Sequence, residues 1–356
     1  TFVAVFVFFV SYLLLPTFYK QSDISKELKN QLLTKFNLDL TFNQNLVYNF
    51  FPRPHFVSEK SFIIENQKKI ADINKIKIYV SLDNLFSLKN FNINGVILDD
   101  VNFEINNNNS NFFIKLLNNN FLNADLKIIN SNIFFRNFEN EILFINKIKN
   151  LKYYYDQNEL KNVLFSENEI FNTSYSLKLV NYEEEKKLFT KLNIDFAKLK
   201  IENILNYNDD FKLGSATLFF NKKNSIANYK IDKNFIEFNF FNDLDKNKFL
   251  YNGQLNFKPF YSTISGDVGE INISYLFGTN AIIAELLRTG IMNSKNIDLK
   301  LNINANKIKN KRNLINLFFK SKIQEGLIDI DDTQIEWKNN SIIKLSDTLI
   351  FVKDGK

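Results

Sequence analysis

The chain has 356 residues, enough for one large or two medium domains with a substantial core. It lacks cysteine, which excludes disulfides, thiolate catalysis and cysteine-based metal sites, and its single histidine, His55, excludes a histidine cluster. The 45 basic and 39 acidic residues are intermixed throughout, so the net charge of +6 is not concentrated into the basic patch that a nucleic-acid partner requires.

Residues 1–15, TFVAVFVFFVSYLLL, carry no charge, and Pro16, Thr17, Phe18 and Tyr19 extend the apolar run to Lys20. As a helix, residues 1–19 would span about 28 Å, close to the roughly 30 Å of a bilayer core. The expectation is a transmembrane anchor over 1–19, with the native start upstream of Thr1. A cleaved signal peptide fits less well because no A-x-A-like site follows, and a buried soluble helix is the third reading. Lys20, Lys26, Lys29 and Lys35 weigh against placing the following side outside the cytoplasm. Ile24, Leu28, Leu32 and Phe36 recur every four residues and predict a connecting helix over 20–37. Ser22 is the expected cap of its start, and Asn37 the left-handed residue that ends it.

From Leu38 the apolar period falls to two. Leu38, Leu40 and Phe42 alternate with polar residues, and Phe50, Phe51 and Phe56 surround the corner Pro52-Arg53-Pro54. Ile76, Ile78, Val80 and Leu82 form the next run, and Phe91 and Ile93 another. Val101, Phe103 and Ile105 follow beyond an expected break at Asp99-Asp100. Asn130-Ser131-Asn132 reads as a turn between two strands, and Gly266 and Gly269 read as turn glycines. Ile297, Leu299, Leu301 and Ile303 form the cleanest late run. Such alternation describes an antiparallel sheet with one apolar and one wet face. Residues 279–292 and 311–323 read as amphipathic helices, and 112–117 as a short one. The β domain is read over 38–277. Residues 278–356 are read as a helix plus a C-terminal β segment, either of the same sheet or of a second repeat. Residues 126–144 resemble 327–343, as a true repeat would or as any two meanders would.

Little conventional chemistry is on offer, and the expectation is no catalytic residue, no metal site, no cofactor and no nucleic-acid partner. His55 sits within the proline corner, where a structural role is the simpler reading. The acidic groups Asp99-Asp100, Asp209-Asp210, Asp331-Asp332 and Glu183-Glu184-Glu185 stand where strand periods break, as a turn or a solvated face would, and none has calcium-loop spacing. No glycine-rich nucleotide motif occurs. What remains is the apolar face. With so little helix to cover it, the sheet must either fold on itself as a sandwich or curl into a trough for an apolar ligand. Acyl chains would be solvated there at about 0.8 kcal/mol per buried methylene. The candidate trough lining is Ile76, Ile78, Val80, Leu82, Val101, Phe103, Ile105, Ile297, Leu299, Leu301 and Ile303. Phe50, Phe51 and Phe56 are candidates for its membrane-proximal mouth, with core packing the alternative.

The order of apolar helix, short helix, strand and F-P-x-P corner (Phe51-Pro52-Arg53-Pro54) resembles the AsmA family of Gram-negative envelope proteins. So does the following run from Ala71 through Ile73 and Ile76 to Leu82 and Leu85, with the strand pair over 91–105 after it. These proteins are relatives of TamB and of the bridge-like lipid transfer proteins. The similarity covers residues 1–145, and in a more generic way 294–352. Asn37 stands where the family usually has glycine, and 106–111 stands where it often has D-G-x-x-N-W. The resemblance implies single-pass attachment to the inner membrane, the bulk of the chain in the periplasm, and a long curved antiparallel sheet forming a β-taco groove. It also implies phospholipid partners, movement of phospholipid between inner and outer membrane, and outer-membrane homeostasis. It overrides the lysine argument about orientation. The alternative function is a structural or assembly factor that supports outer-membrane proteins without carrying lipid, through strand addition at a sheet edge.

Overall fold

The apolar start forms a shorter helix than its composition suggests. In the computed structural model α1 (Phe2–Leu14) runs for 13 residues, about 20 Å. Pro16 then sits in a 3-10 turn over Leu15–Phe18. α2 (Gln21–Phe36) follows at 90° to the first piece. No single helix among the described residues is long and apolar enough to cross a membrane, although the bent pair passes that test jointly. α2 begins without a side-chain cap. Lys20 holds the N-cap position, and the Ser22 hydroxyl instead faces the Asp23 carboxylate at 3.4 Å. Its end is as expected, with Asn37 left-handed at φ 54°.

The structure describes residues 2–351 apart from 84, 89–90, 107–108, 110, 119–123, 137–139, 208–211, 221–222, 233, 243–248, 258–259, 274–297, 325–326, 331 and 339–340. Among the described residues the protein is mainly β, with 22 strands and three α-helices. The chain divides into two compact units, 1–170 with 174–185, and 171–173 with 186–356. This division falls inside the stretch that periodicity alone reads as continuous.

In the first unit, β1 (Asp39–Thr41) and β2 (Val47–Asn49) both pair with β3 (His55–Glu65). The sheet then proceeds through β4 (Lys68–Val80), β5 (Ile93–Ile105), β6 (Asp125–Arg136), β7 (Ile142–Asp156) and β8 (Lys161–Ile170), before β9 (Thr173–Tyr182). The β5–β6 pair is parallel, against the expectation of a purely antiparallel sheet. A parallel pair needs a crossover connection. Here the crossover contains the expected short helix, α3 (Asn111–Leu117), which buries Phe112 and Leu116.

Two period breaks, at Asp99-Asp100 and at Asn130-Ser131-Asn132, lie within continuous strands. Lys60 in β3, Asp100 in β5 and Asn130 in β6 have φ of 52°, 56° and 51°. Each lies where its strand changes which side faces inward. Phe56 and Ser58 are buried before Lys60, Ser61 and Ile63 after it; Val96 and Leu98 before Asp100, Val101 and Phe103 after. Leu126 and Ile128 precede Asn130, and Ser131 and Ile133 follow it. At each of these residues the inward side changes by one position, while the pairing register is the same before and after it. Asp99-Asp100 and Asn130-Ser131-Asn132 therefore stand within strands. Their side chains are tied across the sheet, the Asn130 amide donating to the Asp99 carboxylate at 3.0 Å and Asn74 to Asp100 at 3.1 Å.

The second unit contains β10 (Lys187–Ile194), β11 (Leu199–Tyr207), β12 (Lys212–Phe220), β13 (Lys223–Ile231), β14 (Phe235–Asn242), β15 (Phe249–Phe257) and β16 (Phe260–Ile271), an antiparallel meander. β17 (Asp298–Ile308) lies parallel to β16 and antiparallel to β18 (Leu314–Gln324). Gly266 and Gly269 are inside β16 rather than in a turn. β18 occupies most of the stretch read as a helix over 311–323. Asn316, at φ 51°, interrupts its alternation and gives the apolar residues a helix-like spacing. The other helix expected, over 279–292, lies outside the described residues, as does Asp209-Asp210.

β19 (Leu327–Ile330) and β20 (Thr333–Trp337) both pair with β18, while β22 (Thr348–Phe351) pairs with β19 and β21 (Ser341–Leu345) with β20. Residues 126–144 and 327–343 share a layout: β6 runs through left-handed Asn130 and pairs with β7, while β19 and β20, on either side of left-handed Asp332, both pair with β18, and β20 pairs with β21.

The main core is in the first unit. One register row, Phe56, Ile78, Val96, Leu126, Tyr153 and Leu164, crosses six strands and is buried throughout. Ile24, Leu28, Leu32 and Phe36 of α2 belong to the same buried cluster, with α3 residues beside them. α2 is also held by polar contacts, since the Gln31 amide donates to the Phe91 carbonyl and its oxygen accepts from the Ile93 N–H at 3.3 Å. Leu28→Ala and Leu32→Ala should each destabilise the first unit by about 2–5 kcal/mol, measured by urea unfolding. By contrast Leu218→Ala, in a half-buried position of the second unit, should cost about 1 kcal/mol.

Tyr153 is the largest fully buried side chain, and its hydroxyl donates to the Leu117 carbonyl at 2.6 Å. Burial, assisted by Glu183, raises its phenol above the ordinary value of 10.0. A group with a raised folded pKa contributes stability that is complete below the unfolded value and is lost as pH climbs toward the folded one. Tyr153→Phe should cost about 1–3 kcal/mol at neutral pH by stranding the Leu117 carbonyl. The variant should also lose less stability than the parent above pH 10, so equal alkaline losses would rule out this assignment.

Candidate functional site

The sheet-face residues expected to line a trough fall into two different environments. Ile76, Ile78, Val80, Val101, Phe103 and Ile105 are all buried in the core beneath α2 and α3. They form a filled interior, because the helix that periodicity read only as a joint between anchor and sheet also lies on this face. Leu82, just past β4, is exposed instead. Phe56 is fully buried and takes the core-packing alternative, its ring 5.1 Å from that of Tyr48. Phe50 and Phe51 are exposed. His55 is tied into the corner, Nδ1 donating to the Arg53 carbonyl at 2.7 Å and the imidazole stacked on Tyr79 at 5.1 Å.

The late run has a different setting. Ile297 lies outside the described residues. Leu299 and Leu301 are half-buried on β17, and Ile303 is buried in a small cluster with Val268, Ile271, Ala305 and Ile308. Register links these positions to a long apolar surface. Leu188, Leu205, Gly214, Tyr229, Phe238, Gly253, Ile264 and Leu301 form one row across the eight strands from β10 to β17. At the usual strand separation this row is roughly 34 Å across. Leu192, Ile201 and Leu218 form a second row on the same face.

This surface is not a closed core. No described residue from 182 to 265 is buried, in contrast to the first unit, where inward positions are buried strand after strand. In this stretch of sheet the apolar side chains are half-buried or exposed among the described residues. Its polar side is well matched to water. Lys200 pairs with Glu202 at 2.6 Å and lies over the Phe219 ring at 4.7 Å, and Lys187 lies over Phe189 at 5.1 Å. The Lys200 hydrogen bond, ahead of the other lysine charge nearby, lowers the pKa of Glu202.

Two glycines shape the apolar side. A Cβ on Gly214 would stand 2.0 Å from the Tyr229 ring, and one on Gly253 would stand 2.5 Å from the Phe238 ring. The rings of Tyr229 and Phe238 thus lie down across neighbouring strands where a larger residue would lift them. The Tyr229 hydroxyl reaches beyond Gly214 to β11, donating to the Asn203 side-chain oxygen at 2.7 Å. That bond satisfies the polar Asn203 within an otherwise apolar surface. Burial raises the Tyr229 phenol, with the Asn203 contact opposing it, so the hydroxyl stays neutral and keeps its proton to donate.

The signal for this surface was partly legible. Leu192, Leu218 and Phe238 stand out by alternation, but β13 (KNSIANYKI) has too few large apolar residues to show which face it adds to. Register with β12 and β14 settles that face. As chemistry, the arrangement offers a broad, mostly aliphatic and aromatic contact surface with isolated, satisfied polar groups. Among the described residues no cluster of histidine, aspartate or glutamate is placed to hold a metal ion. Comparison of the chain with protein-family models and with curated proteins returns no match.

Proposed function

We propose that this chain is a membrane-attached protein that holds phospholipid acyl chains on the apolar face of its second unit, assisting movement of phospholipid between the inner and outer membranes of a Gram-negative envelope. The observation that carries this reading is the apolar surface from β10 to β17, on which no described residue from 182 to 265 is buried, extending to Leu299 and Leu301. Such a surface in water is unfavourable by about 25 cal/mol per Å² of apolar area, which an acyl chain lying along the rows would relieve. The uncharged α1 with its exposed Phe and Val side chains supports attachment to a bilayer, and the resemblance to the AsmA family supports the envelope setting.

A second reading, an assembly factor acting by strand addition, is favoured by the C-terminal strands. β21 is exposed at every position, including Ile342, Ile343 and Leu345. Exposed apolar strands of this kind can template another chain.

Photocrosslinking separates the two readings and discounts lipid that merely surrounds an anchor. Benzoylphenylalanine at Leu218, on the apolar face, should yield phospholipid adducts by mass spectrometry. At Thr217, on the opposite face, it should yield few. Introducing Leu299→Glu and Leu301→Glu should reduce the Leu218 adducts if acyl chains run along the whole face. No adduct at Leu218, or equal labelling at both positions, would remove the lipid-holding reading. Protein adducts from a probe at Ile342 alone would favour the assembly reading.

A further inference from the structure

Three tyrosine hydroxyls fasten the end of α1 to the first unit. Tyr12 donates to the Leu82 carbonyl and accepts from the Leu85 N–H at 3.2 Å. Tyr19 donates to the Leu85 carbonyl at 2.9 Å. Tyr48, on β2, donates to the Leu13 carbonyl at 2.8 Å. Tyr12, Leu13 and Tyr19 also pack against the buried cluster. The rest of α1 projects without burial, from Phe2 through Phe9.

The same hydrogen bonds gather three turns that are distant in sequence around the root of this helix. Each presents an exposed phenylalanine. Phe18, in the 3-10 turn that continues α1, is 81% exposed, and Phe51, three residues beyond Tyr48, is 80% exposed. Phe86, whose ring is 4.7 Å from that of Tyr12, is 66% exposed. Such exposure is costly for rings of this size in water, and here it recurs at one end of an uncharged helix. Aromatic side chains concentrate at the level where a membrane-embedded helix meets the headgroups.

We propose that Phe18, Phe51 and Phe86 form an aromatic docking ring that seats the first unit on the bilayer surface, with the Tyr12, Tyr19 and Tyr48 bonds fixing the ring relative to α1. The occupant is a phospholipid bilayer rather than a protein, because the ring is continuous with an apolar helix that carries no charge. This inference rests on the membrane attachment proposed above and is independent of whether the second unit holds lipid. It assigns the turn that holds Leu85 and Phe86 a membrane role, and it replaces the buried Phe56 with Phe18 and Phe86 as the partners of Phe51.

Depth-dependent fluorescence quenching tests it on the full chain. In a Trp337→Phe background, single Phe18→Trp, Phe51→Trp, Phe86→Trp and Phe6→Trp variants are reconstituted into phosphatidylcholine vesicles. The acyl chains are brominated either near the headgroup or near the methyl end. The three ring positions are exposed, so tryptophan there should leave the fold unchanged by circular dichroism. The ring positions should lose more than half their emission to the shallow bromines and less to the deep ones, whereas Phe6→Trp should respond more to the deep bromines. Quenching at Phe6→Trp with none at Phe51→Trp and Phe86→Trp would overturn the ring while leaving the attachment standing. Absence of quenching at all four positions would overturn the attachment and the ring together.

Discussion

The packing of α2 against the sheet of the first unit is the contact on which the rest of the structure depends. A sheet with one apolar face must have that face covered, and Ile24, Leu28, Leu32 and Phe36 cover it from β3 to β8 with help from α3. The result is a conventional closed core. The second unit repeats the apolar alternation, yet none of its residues in the β10–β15 meander is buried among those described. Two units with the same sequence pattern therefore differ in surface properties among their described residues, and in the first unit α2 supplies the cover.

The α2 contact also sets the geometry of the N-terminus. By bonding to Phe91 and Ile93 through Gln31, α2 stays on the sheet and turns 90° from α1. α1 is left free of the core along most of its length and is held only at its end. The tyrosines that hold it do so through backbone carbonyls and one N–H, which makes the attachment directional where apolar packing alone would permit sliding. For Tyr48, burial and the neighbouring Tyr12 push the phenol up to about 12, so its hydrogen-bond donor persists well above neutral pH.

Left-handed residues inside strands are the second determinant. Lys60, Asp100 and Asn130 fall on β3, β5 and β6 of one sheet, and each transfers the inward alternation from one parity to the other. Without them, strands of 11 to 13 residues would carry half their apolar side chains to the wrong face. The same device at Asn316 makes β18 resemble an amphipathic helix in sequence. A change of parity with Asn, Asp or Lys between the two apolar sets is the signal for such a left-handed residue within a strand, and it is distinct from the Gly- or Pro-marked signal for a turn.

Local chemistry determined much by itself. Alternation over Ile76–Val80 and over Leu299–Ile303 specifies strands because side chains in extended backbone point to opposite faces. The four-residue spacing of Ile24 to Phe36 specifies a helix, and Asn37 its end. The proline corner and α3 are legible for the same reason. Tertiary structure alone decided which apolar face is filled and which is open, since both read identically along the chain and differ only in what packs on them. It also decided the two parallel pairs, which depend on crossover connections, and the gathering of Phe18, Phe51 and Phe86, which hydrogen bonds between residues 35 to 73 positions apart bring about. Periodicity reports the orientation of a side chain relative to its own strand or helix, and carries no information about what that side chain meets.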